Sequence, residues 1–163
     1  MINTSTIENV AALMQRGEAE AALTASIAAT DAAPTDADAW AIRAFVEEQL
    51  EQFGAADASI TQAWTLEHSS DFLFKRASIR LKAGHLHAAL TDAIAVVETN
   101  EPFLVEESLL LVAEAQRRLG LWADALATCQ KLPETTEFWA GGLISVREIR
   151  SQCERMMIQR RAA

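Results

Sequence analysis

Residues 84–96 read Gly84-His85-Leu86-His87-Ala88-Ala89-Leu90-Thr91-Asp92-Ala93-Ile94-Ala95-Val96. Counted from the glycine, small residues stand at offsets five and nine (Ala89 and Ala93), a large aliphatic at six (Leu90) and another apolar residue at twelve (Val96). Offsets five, nine and twelve fall on one helical face. The stretch predicts a turn followed by a helix with a narrow face, able to press against a neighbour. The spacing recurs when Gly17, Gly54 and Gly120 are aligned on Gly84. Ala22, Ser59 and Ala125 then stand at five, Leu23, Ile60 and Leu126 at six. Ser26, Ala63 and Cys129 stand at nine, and Ala29, Leu66 and Leu132 at twelve. Each glycine is expected to end the preceding helix, where a left-handed backbone costs it little. Each unit is thus helix, tight turn, helix, and no unit buries its faces alone.

Composition supports helices. Half of the 163 residues are hydrophobic, enough for a sizeable core, and 32 are alanine, the best helix former. Six glycines and three prolines leave few turns. Val, Ile and Thr never gather into alternating runs bounded by turn residues, so no strand is expected. Helices are expected near 5–15, 18–31, 36–53, 55–67, 70–83, 86–99, 103–119 and 122–131, with Asp36 and Asp71 as N-caps. Leu132-Pro133-Glu134-Thr135 breaks the pattern. A last helix is expected over 136–158, carrying Phe138, Leu143, Val146, Ile149, Cys153, Met156 and Met157 as its apolar positions and Gly141-Gly142 as a kink.

The net charge of −9 is unevenly spread. Residues 1–74 hold twelve acids and two bases, Arg16 and Arg43, whereas residues 75–163 hold eleven acids and twelve bases. Nucleic acid is excluded as a partner class, because binding it needs a basic surface. Cys129 and Cys153 lie in apolar helical patterns and read as core thiols in a reducing compartment. No basic start, cleavage site or long apolar run marks a signal peptide or a membrane span, so a cytoplasmic protein without membrane insertion is expected.

The glycine-anchored pattern resembles the tetratricopeptide repeat (TPR) family. Gly17, Ala22, Ala29 and Pro34 match its motif in the first unit, and Gly84, Ala89, Leu90 and Ala93 in the third, with Pro102 one residue late. Gly120, Ala125, Leu126 and Ala113 match in the fourth. The second unit departs. It has Ser59 for Ala, no closing Pro, and Glu47 where a small residue is expected. Trp40 stands three residues too far from Gly54, which predicts a longer first helix there. The chain has no Tyr, so Leu, Ile or Ala replaces the family's aromatic plugs. The resemblance implies an all-α, right-handed α-α superhelix of about four hairpins plus a C-terminal capping helix. It makes residues 1–163 a single domain, with repeats near 5–34, 36–69, 70–101 and 103–133.

Residues that carry chemistry elsewhere read blandly here. His85 and His87 begin a helix two residues apart and point in different directions, with no cysteine nearby to complete a metal site. Glu47-Glu48 and Glu106-Glu107 read as solvated helix faces. No phosphate loop or nucleophile arrangement is present, so no cofactor, metal or enzymatic role is expected. Trp64, Trp122 and Trp139 read as packing residues.

In the family, the first helices of the hairpins line a concave peptide-binding face. The resemblance places Phe74, Lys75, Leu81, Lys82, Leu110, Glu114, Arg117 and Arg118 on that face in the third and fourth units. Ile7, Ala11 and Met14 stand there in the first unit, Phe45 and Glu48 in the second. Phe74, Leu110 and Leu111 have packing between hairpins as their alternative role. Ala11 and Ile7 stand where some members carry bases that clamp a C-terminal carboxylate, so an acidic tail is not the expected ligand. The implied function is binding a peptide or helical segment of a partner, as a small acidic adaptor or a chaperone of the secretion type. The alternative is a scaffold that self-associates through unlike ends. If the small positions are tight contacts, Ala89→Leu and Ala125→Leu each lower unfolding free energy by about 1–3 kcal/mol through overpacking. Chemical denaturation checks this, and unchanged midpoints would place these alanines on the surface.

Overall fold

The computed structural model describes residues 4–139 and 142–162, which form nine helices and one two-stranded hairpin. The helices are α1 Thr4–Gln15, α2 Ala19–Ala32, α3 Ala37–Gln49, α4 Phe53–Leu66, α5 Ser70–Lys82, α6 Leu86–Thr99, α7 Val105–Arg118, α8 Trp122–Cys129 and α9 Val146–Ala162. Between α8 and α9 lie β1, Glu137–Trp139, and β2, Leu143–Ser145. The chain groups into two compact units, Met1–Phe72 and Leu73–Ala163. No helix among the described residues is long and apolar enough to cross a membrane.

Four hairpins close by one backbone device. A residue with positive φ ends the first helix, and the amide after it reaches back five residues. Glu18 N donates to Leu13 O (2.9 Å), Gln52 N to Glu47 O (2.8 Å), His85 N to Arg80 O (2.9 Å) and Leu121 N to Gln116 O (2.9 Å). This is the Schellman closure, which satisfies helix-end carbonyls. The left-handed residue is Gly17, Gly84 or Gly120 in three hairpins, with φ of 75°, 80° and 77°. In the second hairpin it is Glu51, with φ 58°.

That corrects the alignment on Gly54, which lies inside α4. Counted from Glu51, the small position at offset five is Ala56 rather than Ser59, and Ala56 is fully buried. The shift of three residues removes the reason for a longer first helix, and α3 ends at Gln49. Among the caps, the Asp36 carboxylate accepts from the amides of Asp38 (3.1 Å) and Ala39 (3.4 Å) as expected. At the start of α5 the capping acceptor is instead Ser69 Oγ, which takes the Asp71 amide at 3.2 Å.

In the first unit Val10, Leu13, Ala22 and Val46 form the apolar centre, joined by Leu23, Ile42 and Leu50. Beside it runs a buried polar chain. Arg43 Nε donates to Glu47 Oε1 (2.8 Å), Ser59 Oγ donates to Glu47 Oε2 (2.6 Å), and Arg43 Nη1 reaches Thr30 Oγ1 (3.4 Å). Glu47 is therefore an inter-helix tie and not a solvated residue. The second unit builds a larger core from Ala77, Leu81, Ala89, Ala93, Leu110, Leu111, Ala125, Ile144, Val146, Ile149 and Cys153, among others. Here Asp92 receives a bidentate pair from Arg76 (2.8 Å twice) and a third bond from Arg80 (2.7 Å). Both core thiols are pushed up by burial, Cys129 to about 11, so they stay protonated near neutral pH.

The helix expected over 136–158 begins only at Val146. The residues before it form an antiparallel pair, with Phe138 opposite Ile144 and Trp139 opposite Leu143. Glycine disfavours helix interiors by about 1 kcal/mol each, and Gly141-Gly142 is placed to end a helical run. Alternation decides the rest: Phe138 and Ile144 pack on the core, while Trp139 (70 % exposed) and Leu143 (54 %) face outward. Trp139 is thus not a packing residue, and the anticipated kink at Gly142 is part of the link between strands; Gly141 lies outside the described residues.

The corrected turn yields paired expectations. Glu51→Gly relieves a left-handed non-glycine residue, and Gly54→Ala removes a glycine from a helix where an added Cβ meets nothing within 4 Å. Each substitution raises stability by about 0.5–1 kcal/mol. Denaturant titration of both variants is decisive, since Gly54 as the turn residue would make Gly54→Ala destabilising.

Candidate functional site

The face assigned by resemblance lies on α5 and α7 in the second unit, and it is not bare. Phe74 of α5 is half-buried and meets Phe138 of β1 edge-on, ring centroids 5.6 Å apart and planes at 69°. Such edge-to-face pairs add to the area they bury. Both strands also pack against α7. The hairpin therefore lies over the first helices of the third and fourth repeats. Past its aromatic end the face turns polar. Arg117 makes a two-pronged ion pair with Glu114 (2.6 Å each) and donates from Nη1 to Gln152 Oε1 (2.6 Å). Gln152 Nε2 in turn donates to Glu148 Oε1 at 3.0 Å. The Glu114 hydrogen bonds raise the Arg117 pKa against the opposing effect of burial. These groups, with Leu143, Ser145 and Ile149, line a pocket of about 70 Å³ between α7, β2 and α9.

The eight assigned residues divide. Leu81 and Leu110 are 1 % and 0 % exposed and belong to the core cluster that Phe138 and Ile144 of the hairpin join. Phe74, Lys75, Lys82, Glu114, Arg117 and Arg118 remain at or near the surface, Glu114 the most enclosed of them at 9 %. Arg117 and Arg118 are not mobile charges. Arg117 is held by Glu114 and Gln152, and Arg118 Nη1 donates to the Leu81 carbonyl at 2.6 Å, tying α7 to the end of α5. In the first unit Ile7 and Phe45 are exposed at 39 % and 41 %, but Glu48 is buried. His85 and His87 are exposed at the start of α6. Among the described residues no three His, Cys, Asp or Glu side chains are grouped to hold a metal ion.

One recurrent feature escaped the sequence reading. Four residues before and eight after each left-handed residue, polar side chains pair: Glu47 with Ser59, Arg80 with Asp92, and Gln116 with Thr128 (2.8 Å). In the first hairpin the same positions hold Leu13 and Ala25, packed in the apolar centre. Alignment on Gly54 had put Glu47 three residues out of register and hidden the recurrence.

No family model matches the sequence, and no curated protein sequence matches it. Solved structures do match. A tetratricopeptide repeat protein from Parabacteroides merdae superposes with a TM-score of 0.77 at 18 % identity, over 95 % of this chain and 60 % of that one. YrrB, described as a TPR protein with an unusual peptide-binding site, gives 0.65 at 20 % identity, over 78 % of this chain and 65 % of its own. The first TPR of Spaghetti (RPAP3), bound to the HSP90 peptide SRMEEVD, gives 0.57 at 23 % identity, over 76 % and 91 %. The chain therefore spans less than two thirds of the first two proteins. At these identities the likeness shows the fold, and the fold is of the TPR type.

The bond from Arg118 to the Leu81 carbonyl carries its own expectation. An exposed charge that only faced solvent would change stability by no more than about 0.5 kcal/mol on removal. A charged donor on a helix-end carbonyl contributes more, so Arg118→Ala lowers stability by about 1–2 kcal/mol. Thermal unfolding of this variant beside the wild type checks it, and an unchanged melting temperature would show the bond to be idle.

Proposed function

We propose that this chain is a protein-interaction module that binds an extended or helical segment of a partner polypeptide. Within that class it acts as a small acidic adaptor or a secretion-type chaperone in the cytoplasm, and no catalytic role enters the reading. One observation carries it: the α5–α7 face already accommodates an extended aromatic strand, with Phe138 seated on Phe74. A face that holds one strand has the width, the apolar floor and the flanking polar groups to hold another. Phe74 supplies the apolar contact. Lys75 and Lys82 on the same helix carry charge along its edge, and their long stems cover apolar surface while the ammonium groups stay near water. Glu114 and Arg117 end the face with a fixed pair of opposite charges. The fold likeness supports the reading, since two of the similar structures are described by the peptides or peptide-binding sites they carry.

The test is peptide display on the immobilised full chain, followed by calorimetry of the enriched sequences. The reading expects one-to-one binding near micromolar Kd, weakened at least about tenfold by Phe74→Ala, a loss of roughly 1.4 kcal/mol. No enrichment over an unrelated helical protein, or binding indifferent to Phe74→Ala, would sink it.

A further inference from the structure

The hairpin occupies the α5–α7 face. It touches the core through one side chain per strand, Phe138 from β1 and Ile144 from β2. Glu137, Trp139 and Leu143 are exposed, as are Pro133, Glu134 and Thr135 before them. Two isolated strands are at best marginally stable in water, so the seat of Phe138 and Ile144 on the helices holds this pair in place. The segment is anchored firmly at both ends. Leu132 is buried before it, Val146 and Ile149 after it, and Val146 N donates to Thr136 O at 3.1 Å to close its base. The result is a strap fixed at both ends, whose own seat on the helices runs through Phe138 and Ile144. The anchors have support of their own, because α8 and α9 also contact each other directly.

Resting on the reading of this face as a peptide site, we propose that β1 and β2 stand in for the partner. The ligand is an extended segment that presents an aromatic side chain edge-on to Phe74, and its binding displaces the hairpin. The chemistry follows from the present occupant. A partner strand must offer an aromatic ring where Phe138 sits and an aliphatic group where Ile144 sits. Between alternate inward residues it is free to carry any outward side chain, as Trp139 and Leu143 show. The tethered hairpin competes at high effective concentration, so only a segment that fills both places dislodges it. An incomplete match leaves the face closed.

The test uses a fluorescent peptide of the chain's own residues 134–146 and the full chain in four forms: wild type, Phe138→Ser, Phe74→Ala with Phe138→Ser, and Trp139→Ser. Anisotropy should show binding to Phe138→Ser at least tenfold tighter than to wild type or to Trp139→Ser. Adding Phe74→Ala should abolish the gain. Equal binding to wild type and Phe138→Ser, or a double variant that binds as Phe138→Ser does, would overturn the proposal. Circular dichroism establishes that each variant is folded. Should Phe138→Ser fail to fold, hydrogen exchange on the wild type with excess peptide decides alone. Amides of β1 and β2 should lose protection, and unchanged protection would refute displacement. Displayed peptides that bind through Phe74 without exposing the strand amides would leave the interaction module standing and this inference alone rejected. Binding of the chain's own peptide, with no displayed peptide enriched, would do the reverse.

Discussion

A single backbone hydrogen bond, from the amide after a left-handed residue to a carbonyl five residues earlier, sets the register of every hairpin. Because that bond fixes where the second helix begins, all later positions are counted from the left-handed residue. The second helix starts two residues on, at Ala19, Phe53, Leu86 and Trp122. Five residues on stands an alanine in all four cases, Ala22, Ala56, Ala89 and Ala125, none more than 2 % exposed. The residue whose carbonyl accepts the closing bond is also the one whose side chain pairs across to the second helix. Leu13, Glu47, Arg80 and Gln116 therefore tie the helices twice, once through the main chain and once through the side chain.

That shared position tolerates four chemistries: an apolar pair, Glu with Ser, Arg with Asp, and Gln with Thr. Geometry is conserved between hairpins while polarity is not, because each pair needs only to satisfy itself. The demands differ in strength. Gln116 and Thr128 are neutral, and losing one partner orphans a hydroxyl. Asp92 is buried and takes three bonds from Arg76 and Arg80, so removing Arg76 leaves a buried carboxylate with only the Arg80 bond of the three. Breaking such a pair costs about 3–5 kcal/mol, although its net contribution relative to an apolar pair is small. The charged bridge thus works better as a device for register than as a source of stability.

These facts explain what the sequence disclosed. Gly17, Gly84 and Gly120 were legible because glycine is the residue that a left-handed turn prefers, and the fold followed from them. The second turn was not legible, since Glu51 occupies the left-handed position with no chemical mark and Gly54 offers itself three residues away. The strands were missed because three-residue strands leave no period to read, and their apolar residues blend into the pattern of α9. On α5, the contact of Phe74 with Phe138 was not legible, since the two stand far apart in the chain. The burial of Leu81 and Leu110 was not legible, because an apolar residue on a first helix serves either role. The engagement of Arg117 and Arg118 was beyond reach, since it depends on Gln152, 35 residues from Arg117, and on the Leu81 carbonyl, 37 residues from Arg118.

Internal pairing also changes what the charge distribution means. Residues 1–74 carry only two bases, and both are engaged close at hand: Arg43 with Glu47 and Thr30, and Arg16 with Glu18 at 2.7 Å. Each pair offsets one base with one acid, so the acids in excess over residues 1–74 set the sign of the first unit's surface. In the second unit Arg76, Arg80 and Arg117 are likewise held by Asp92 and Glu114. The exposed bases of this unit are spread over Arg118, Lys131, Arg147, Arg155, Arg160 and Arg161. An anionic field of the kind carried by the first unit draws basic segments toward the molecule and slows acidic ones, an effect that weakens as salt rises. Steering of that sort acts before docking and does not need the charged residues to touch the ligand.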